Sequence, residues 1–409
     1  MADKSQQKKI LGNTAYTIGA GLLMNGVLQL AIYPLLHRRL GSESLGGLLF
    51  LMGIATILGP SVGQALNNSR LVVRRDYPVK NGDYNWLLLI FGGIGTAIGL
   101  FIGKDSLTSV PFALVLVILL FLTIFRYYGD VEYRLNLNYR RYFVYYGILT
   151  LGYVAGYGLF LFTGFWPLIF LTGEAICLLY LGMTGQLFKN FFERSEYFEP
   201  TLRRGGILVL SYTITNLTLN IDRILLPFLI GNTALTEYYT ASLLGKTLVL
   251  FMAPINTIII SYLTRSQKRL DRAGFLKFVG IGAAVAVLFF LAVQVAAPIF
   301  LRLFYGQEML DAVWGVLPIV NASQILGLFS AYLFILVLTF TAEKWQMVLQ
   351  VAHLAVILVL VFTMTGGTLW GFSLAVLIAN AVRVAAVFIF GVYGAGRTPD
   401  KSVNCAAGR

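Results

Sequence analysis

The sequence predicts an all-α integral membrane protein, and three features of its 409 residues carry that reading. About 12 apolar stretches of roughly 20 residues follow one another, the length a helix needs to cross ~30 Å of hydrocarbon. The connections between them are short and polar. Of the 31 Lys and Arg, 24 lie in the two termini, in every second loop or at the span ends beside those loops; 4 (Arg38, Arg39, Lys104, Arg302) lie in the opposite loops and 3 well within spans. Basic loops stay on the cytoplasmic side. A multi-pass protein of the cell inner (cytoplasmic) membrane is therefore expected, with both termini cytoplasmic.

Taken in order, the spans are expected at 10–36, 45–65, 85–103, 108–128, 142–163, 166–187, 205–230, 236–263, 275–298, 311–340, 345–366 and 368–395. The first follows Lys4, Lys8 and Lys9 and so begins like a signal peptide. Its apolar run is longer than such a peptide needs, which reads as a retained span. Trp86, Trp166, Trp314, Trp345 and Trp370 fall near span ends, where amphipathic rings settle at the head-group level. A shift of about 190 residues lays Arg39-Leu40-Gly41-Ser42 through Leu45 over Leu229-Ile230-Gly231-Asn232 through Leu235. Six spans per half keep both halves in one orientation. The expectation is two six-helix bundles, 1–195 and 196–409, related by a parallel pseudo-two-fold repeat, with a substrate site between them.

Composition narrows the function. The chain is 58% hydrophobic and 12% charged, against roughly 25% charged in a soluble domain. Its net charge of +13 is spread between spans rather than gathered on one face, so anionic lipid head groups, not nucleic acid, are its expected partners. Every loop is too short for an external catalytic segment or a nucleotide-binding domain, which points to a transporter rather than an enzyme. Cys177 lies in a span and Cys405 in the tail, and neither implies a disulfide or a metal site. The segment Thr240-Ala-Ser-Leu-Leu-Gly245-Lys246-Thr247 approaches a phosphate-binding loop, but it lacks the first Gly and lies inside a span without a preceding strand.

Five ionisable residues lie well inside spans: Glu174, Asp222, Arg223, Lys246 and Arg383. Each costs at least ~2.5–3.5 kcal/mol at the bilayer centre unless it faces water or a partner. Three cations against two carboxylates leave one positive charge over, which an anionic ligand would satisfy. His353 reads as a packing histidine near the cytoplasmic end of span eleven. Arg70 and Arg126, closest to the membrane among the basic clusters at span ends, are candidates for first contact with a phosphate. In span seven, Thr213, Asn216, Asn220 and Arg223 fall on one helical stripe, and Ser211, Thr215, Thr218 and Asp222 on another. Neither stripe belongs against lipid. The first is assigned to substrate. Asp222 is then expected to face a neighbouring helix at the depth of Lys246.

Several stretches resemble the polysaccharide and oligosaccharide-lipid flippases of the multidrug/oligosaccharidyl-lipid/polysaccharide exporter superfamily. The end of span one reads Pro34-Leu-Leu-His-Arg38-Arg39-Leu40-Gly41 and runs on to Gly46. Span two ends Gly63-Gln-Ala-Leu-Asn-Asn-Ser-Arg70. Asp222-Arg-Ile-Leu-Leu-Pro-Phe-Leu-Ile-Gly231 leads to Tyr238-Tyr239, and Pro254 and Ser261 sit within span eight. Where the family carries an acidic second-span position, this chain has Gly63-Gln64. The resemblance implies a polyprenyl-pyrophosphate-linked oligosaccharide, such as one on undecaprenyl pyrophosphate, as cargo for cell-surface polysaccharide synthesis. It also implies alternating access, and a polysaccharide polymerase and glycosyltransferases as candidate partners. Arg223, Lys246, Arg383, Asn216 and Asn220 would line the cavity. No cofactor is implied; H+ or Na+ coupling would fall to Asp222 or Glu174. A cation-coupled drug antiporter of the same superfamily is the alternative, and a transport-inactive scaffold for polysaccharide assembly is a third class.

Overall fold

A computed structural model describes residues 4–265, 271–338 and 344–395, and no strand occurs among them. Nine helical stretches among the described residues are long and apolar enough to cross a membrane, and the first of them, Gly12–Val73, contains two of the expected spans. The protein is a multi-pass membrane protein. Its chain divides into two compact units, Met1–Leu235 and Thr236–Arg409.

In the first unit, α1 (Lys4–Val27) passes through a wide π turn, Leu28–Ile32, into α2 (Tyr33–Leu58). Spans one and two are nevertheless separate, because Gly41 leaves helical geometry at φ 77°, ψ 173°. That conformation is strained for any residue with a Cβ. A second π turn, Gly59–Gln64, leads into α3 (Ala65–Val73). The turn lies close against α5 (Val110–Gly129): a Cβ on Gly63 would come within 2.3 Å of the Ile124 carbonyl oxygen. The Gly at the position where the resembled family is acidic thus has a packing reason.

Helix α4 (Asn81–Ile102) precedes α5, whose first turn is fixed by Ser109 accepting from the Phe112 N–H. A short α6 (Val131–Leu135) turns the chain into α7 (Tyr139–Thr163), and Gly164 ends α7 in the left-handed region. Helices α7 and α8 (Pro167–Thr184) cross through glycines. A Cβ on Gly152 would meet the Gly173 Cα at 2.6 Å, and one on Gly156 the Ile169 carbonyl oxygen at 2.6 Å. Small residues four apart allow such backbone approach where lipid supplies no hydrophobic drive. Span seven is two helices, α9 (Phe198–Leu219) and α10 (Ile221–Leu229), broken at Asn220; α9 packs on α3 and the second π turn, and α10 on α2.

The second unit holds most of α11 (Asn232–Arg265), then α12 (Arg272–Phe304) with Asp271 as its N-cap and a short α13 (Gln307–Val313). Three long helices complete it: α14 (Leu317–Leu338), α15 (Lys344–Met364) and α16 (Leu369–Gly394). Phe275, Tyr332, Leu333, Leu336 and Val387 form its core, where α14 packs on α12 and α16. Beside them lies an apolar cavity of about 190 Å³, lined by residues such as Met252, Phe289 and Leu328.

Candidate functional site

Glu174 is fully engaged. On α8 it accepts from Arg126 Nε at 2.9 Å and from the second nitrogen of that fork at 3.2 Å. The hydroxyls of Tyr153 (3.1 Å) and Thr123 (3.4 Å) complete its shell. Both charged side chains are nearly sealed, at 5% and 3% exposed, and the Tyr127 ring lies 3.9 Å from the guanidinium carbon. A planar fork on a carboxylate, with the remaining lone pairs satisfied, is the arrangement that makes a buried pair tolerable.

This placement corrects the expectation that Arg126 greets a phosphate at the cytoplasmic mouth. Arg70 is corrected likewise. It donates to the Tyr128 hydroxyl (2.5 Å) and Asn81 Oδ1 (2.7 Å), lies over the Tyr84 ring, and is only 8% exposed. Distance along the helix put both arginines near a membrane edge. It could not show that tyrosines from neighbouring helices cover them, as where the Tyr145 hydroxyl donates to the Arg126 carbonyl. A third buried centre had not been foreseen. Asp130 accepts from Asn67 and from the Tyr146 hydroxyl, and Arg134 reaches Asn67 Oδ1 at 2.8 Å. The adjacent Asn67-Asn68 at a span end was the available signal.

The stripe on span seven also needs correction. It presumes one continuous helix through Arg223, but Asn220 sits at φ −121°, ψ 20° and α10 restarts with its own phase. The amides of Asn216 and Asn220 donate to the carbonyls of Tyr212 (2.7 Å) and Asn216 (3.0 Å). Thr213, Thr215 and Thr218 bond back in the same way. Polar side chains in a helix without water turn to the carbonyl four residues back, so these donors serve the helix itself.

Arg223 is half-buried and reaches α2, where its NH1 donates to Thr56 Oγ1 at 3.3 Å. Gly53 makes that approach possible, since a Cβ there would lie 2.9 Å from the Arg223 Cβ. Asp222 beside it is 4% exposed.

In the second unit, Lys246 lies 6.0 Å from the Tyr238 ring centroid. Arg383 on α16 donates to Gln350 Oε1 on α15 at 3.1 Å. His353 differs from its expectation: it is the tenth residue of α15, at mid-span, and is 6% exposed with neither ring nitrogen hydrogen-bonded. Asn380, one turn from Arg383, donates to the Ser323 carbonyl and hydroxyl of α14 (3.0 and 2.9 Å). With Glu174 committed to Arg126, the first unit holds Arg223 and Asp222 within α10, and the second holds Lys246 within α11 and Arg383 within α16.

No protein-family model matches the chain, and no curated protein matches it by sequence. Solved structures do. One is the inward-facing conformation of a multidrug resistance MATE family transporter of the MOP superfamily: TM-score 0.61, 15% identity, 93% of each chain covered. The outward-facing conformation of such a transporter gives 0.58 and 18%, over 92% of this chain and 94% of that one. A MOP superfamily transporter from Pyrococcus furiosus, described as having a binding pocket of reverse polarity that suggests a different function, gives 0.61 and 17%, over 94% and 96%. At these identities the likeness is one of fold. The chain has the all-helical fold of MATE transporters, with twelve membrane helices in two bundles.

Proposed function

We propose that this protein is a flippase that carries a polyprenyl-pyrophosphate-linked oligosaccharide across the cytoplasmic membrane by alternating access, with no enzymatic step. One observation carries the reading: three cations, Arg223, Lys246 and Arg383, lie within helices of a membrane-spanning chain, while Glu174 is taken by Arg126. Intramembrane charge on this scale marks a substrate path, and its sign suits a pyrophosphate. Without such groups the head group would meet hydrocarbon, where each uncompensated polar or charged group carries a large cost. The lipid tail would stay in the bilayer. We assign H+ or Na+ coupling to Asp222, which is 4% exposed on α10.

A cation-coupled drug antiporter is the second reading, favoured by the names of two of the structural neighbours. The excess of cations opposes it, because a cavity for cationic drugs wants the opposite sign. Deletion followed by analysis of lipid-linked sugars separates the two. A flippase deletion accumulates lipid-linked oligosaccharide on the cytoplasmic face, and Gln at Arg223, Lys246 or Arg383 reproduces that defect while the protein still reaches the membrane. Unchanged sugar pools together with new drug sensitivity would replace the flippase with the antiporter.

A further inference from the structure

The geometry points to a phosphate-type oxyanion site between α15 and α16, built from Arg383, Gln350 and His353. Four polar residues face each other across this antiparallel seam, Gln350 opposite Arg383 and His353 opposite Asn380, one helical turn apart on each helix. Two of them lack what their chemistry demands. Arg383 has Gln350 as its hydrogen-bond partner and no carboxylate within 4.0 Å among the described residues. His353 is 6% exposed and faces Asn380, yet neither of its ring nitrogens has a partner within 3.5 Å at hydrogen-bonding geometry. Buried polar atoms are almost always paired, and an exception marks a place where a water or ion belongs.

The sequence of this unit removes the ordinary remedy. Its carboxylates are Glu237, Asp271, Glu308, Asp311, Glu343 and Asp400. None lies in the interior of α12, α14, α15 or α16, and Glu237 on α11 is next to Tyr238, which packs on Phe372, eleven residues before Arg383 along α16. An Arg at mid-span in such a bundle needs a negative partner from outside it. A neutral sugar hydroxyl would meet the hydrogen bonds but leave the charge, and a cation would add to it. The planar guanidinium donates to two oxygens of one group side by side. An imidazole N–H on the opposite helix offers a third donor from another direction. Donors converging from two helices suit the several oxygens of a phosphoryl group. That group could belong to free pyrophosphate or to an anionic lipid; the site deepens the flippase reading, which already uses Arg383, but requires no glycan.

The test uses full-length protein in phosphatidylcholine nanodiscs. Pyrophosphate is titrated by calorimetry, and retention of phosphatidylglycerol is followed by native mass spectrometry. Wild type should bind one of the two probes. Arg383→Gln should weaken that binding at least ten-fold, Arg383→Lys less, and the exposed control Arg203→Gln not at all. His353→Phe, which keeps the charge and the volume, should also weaken it, so a poorly folding Arg383→Gln leaves a decisive variant. Pyrophosphate binding lost in these variants assigns a free oxyanion, and phosphatidylglycerol retention lost in them assigns a lipid. Wild type binding neither probe, or His353→Phe and Arg383→Lys binding as wild type, overturns the site. Binding as expected with unchanged lipid-linked sugars on deletion would instead sink the flippase and leave the site.

Discussion

Glu43 and Thr233, 190 residues apart, are hydrogen-bonded: the Glu43 Oε2 accepts the Thr233 backbone N–H at 3.1 Å and its hydroxyl at 2.7 Å. Asn232 adds a third bond to the same carboxylate. The separation equals the shift that aligns the loop after span one with the loop after span seven, and each loop has a glycine at positive φ, Gly41 and Gly231. A Cβ on Gly46 would fall 1.9 Å from the Asn232 carbonyl oxygen, so the approach is backbone to backbone. We expect one state of an alternating-access cycle to part these loops. Glu43→Cys combined with Thr233→Cys should form a disulfide under oxidation, stop transport, and recover on reduction. Full transport by the oxidised pair would show that the contact never opens.

The Arg126–Glu174 pair should behave as structure, not as a substrate contact. Glu174→Leu leaves a buried guanidinium alone and should destabilise the protein by about 3–5 kcal/mol. Adding Arg126→Met should restore most of that loss, since two apolar groups leave no orphaned charge. Thermal unfolding of the detergent-solubilised variants reads this directly. A double variant no more stable than the single would mean that Arg126 has another obligatory partner.

At the crossing of α7 and α8, Gly156→Ile should cost on the order of 1–3 kcal/mol by overpacking, because the atoms it meets are backbone. Gly158, whose added Cβ meets nothing within 4 Å, is the matched control, and Gly158→Ile should bring little change. Equal loss at the two positions would argue against close helix contact as the cause.

Orientation follows from basic asymmetry and is testable without a transport assay. Single cysteines near Lys104 and Gly306 should react with an impermeant reagent added to intact cells, and one at Lys80 should not. Labelling at Lys80 would invert every cytoplasmic and external assignment.

Features that depend on local composition are legible along the chain. Approximate span ends followed from apolar length. Gly41 and Gly231 were legible as turns because few other residues tolerate their backbone. What only the tertiary structure decided was which charges meet. Arg126 and Glu174 are 48 residues apart, and nothing in either neighbourhood names the other. A periodicity argument on span seven assumed one unbroken helix, and the break at Asn220 ended its phase. His353 likewise looked like packing until burial showed both ring nitrogens without partners. The physical reason is common to these cases. Hydrophobic length and turn geometry act within a few residues. The cost of a buried charge is settled by whatever group the fold brings within hydrogen-bond distance, from any position along the chain.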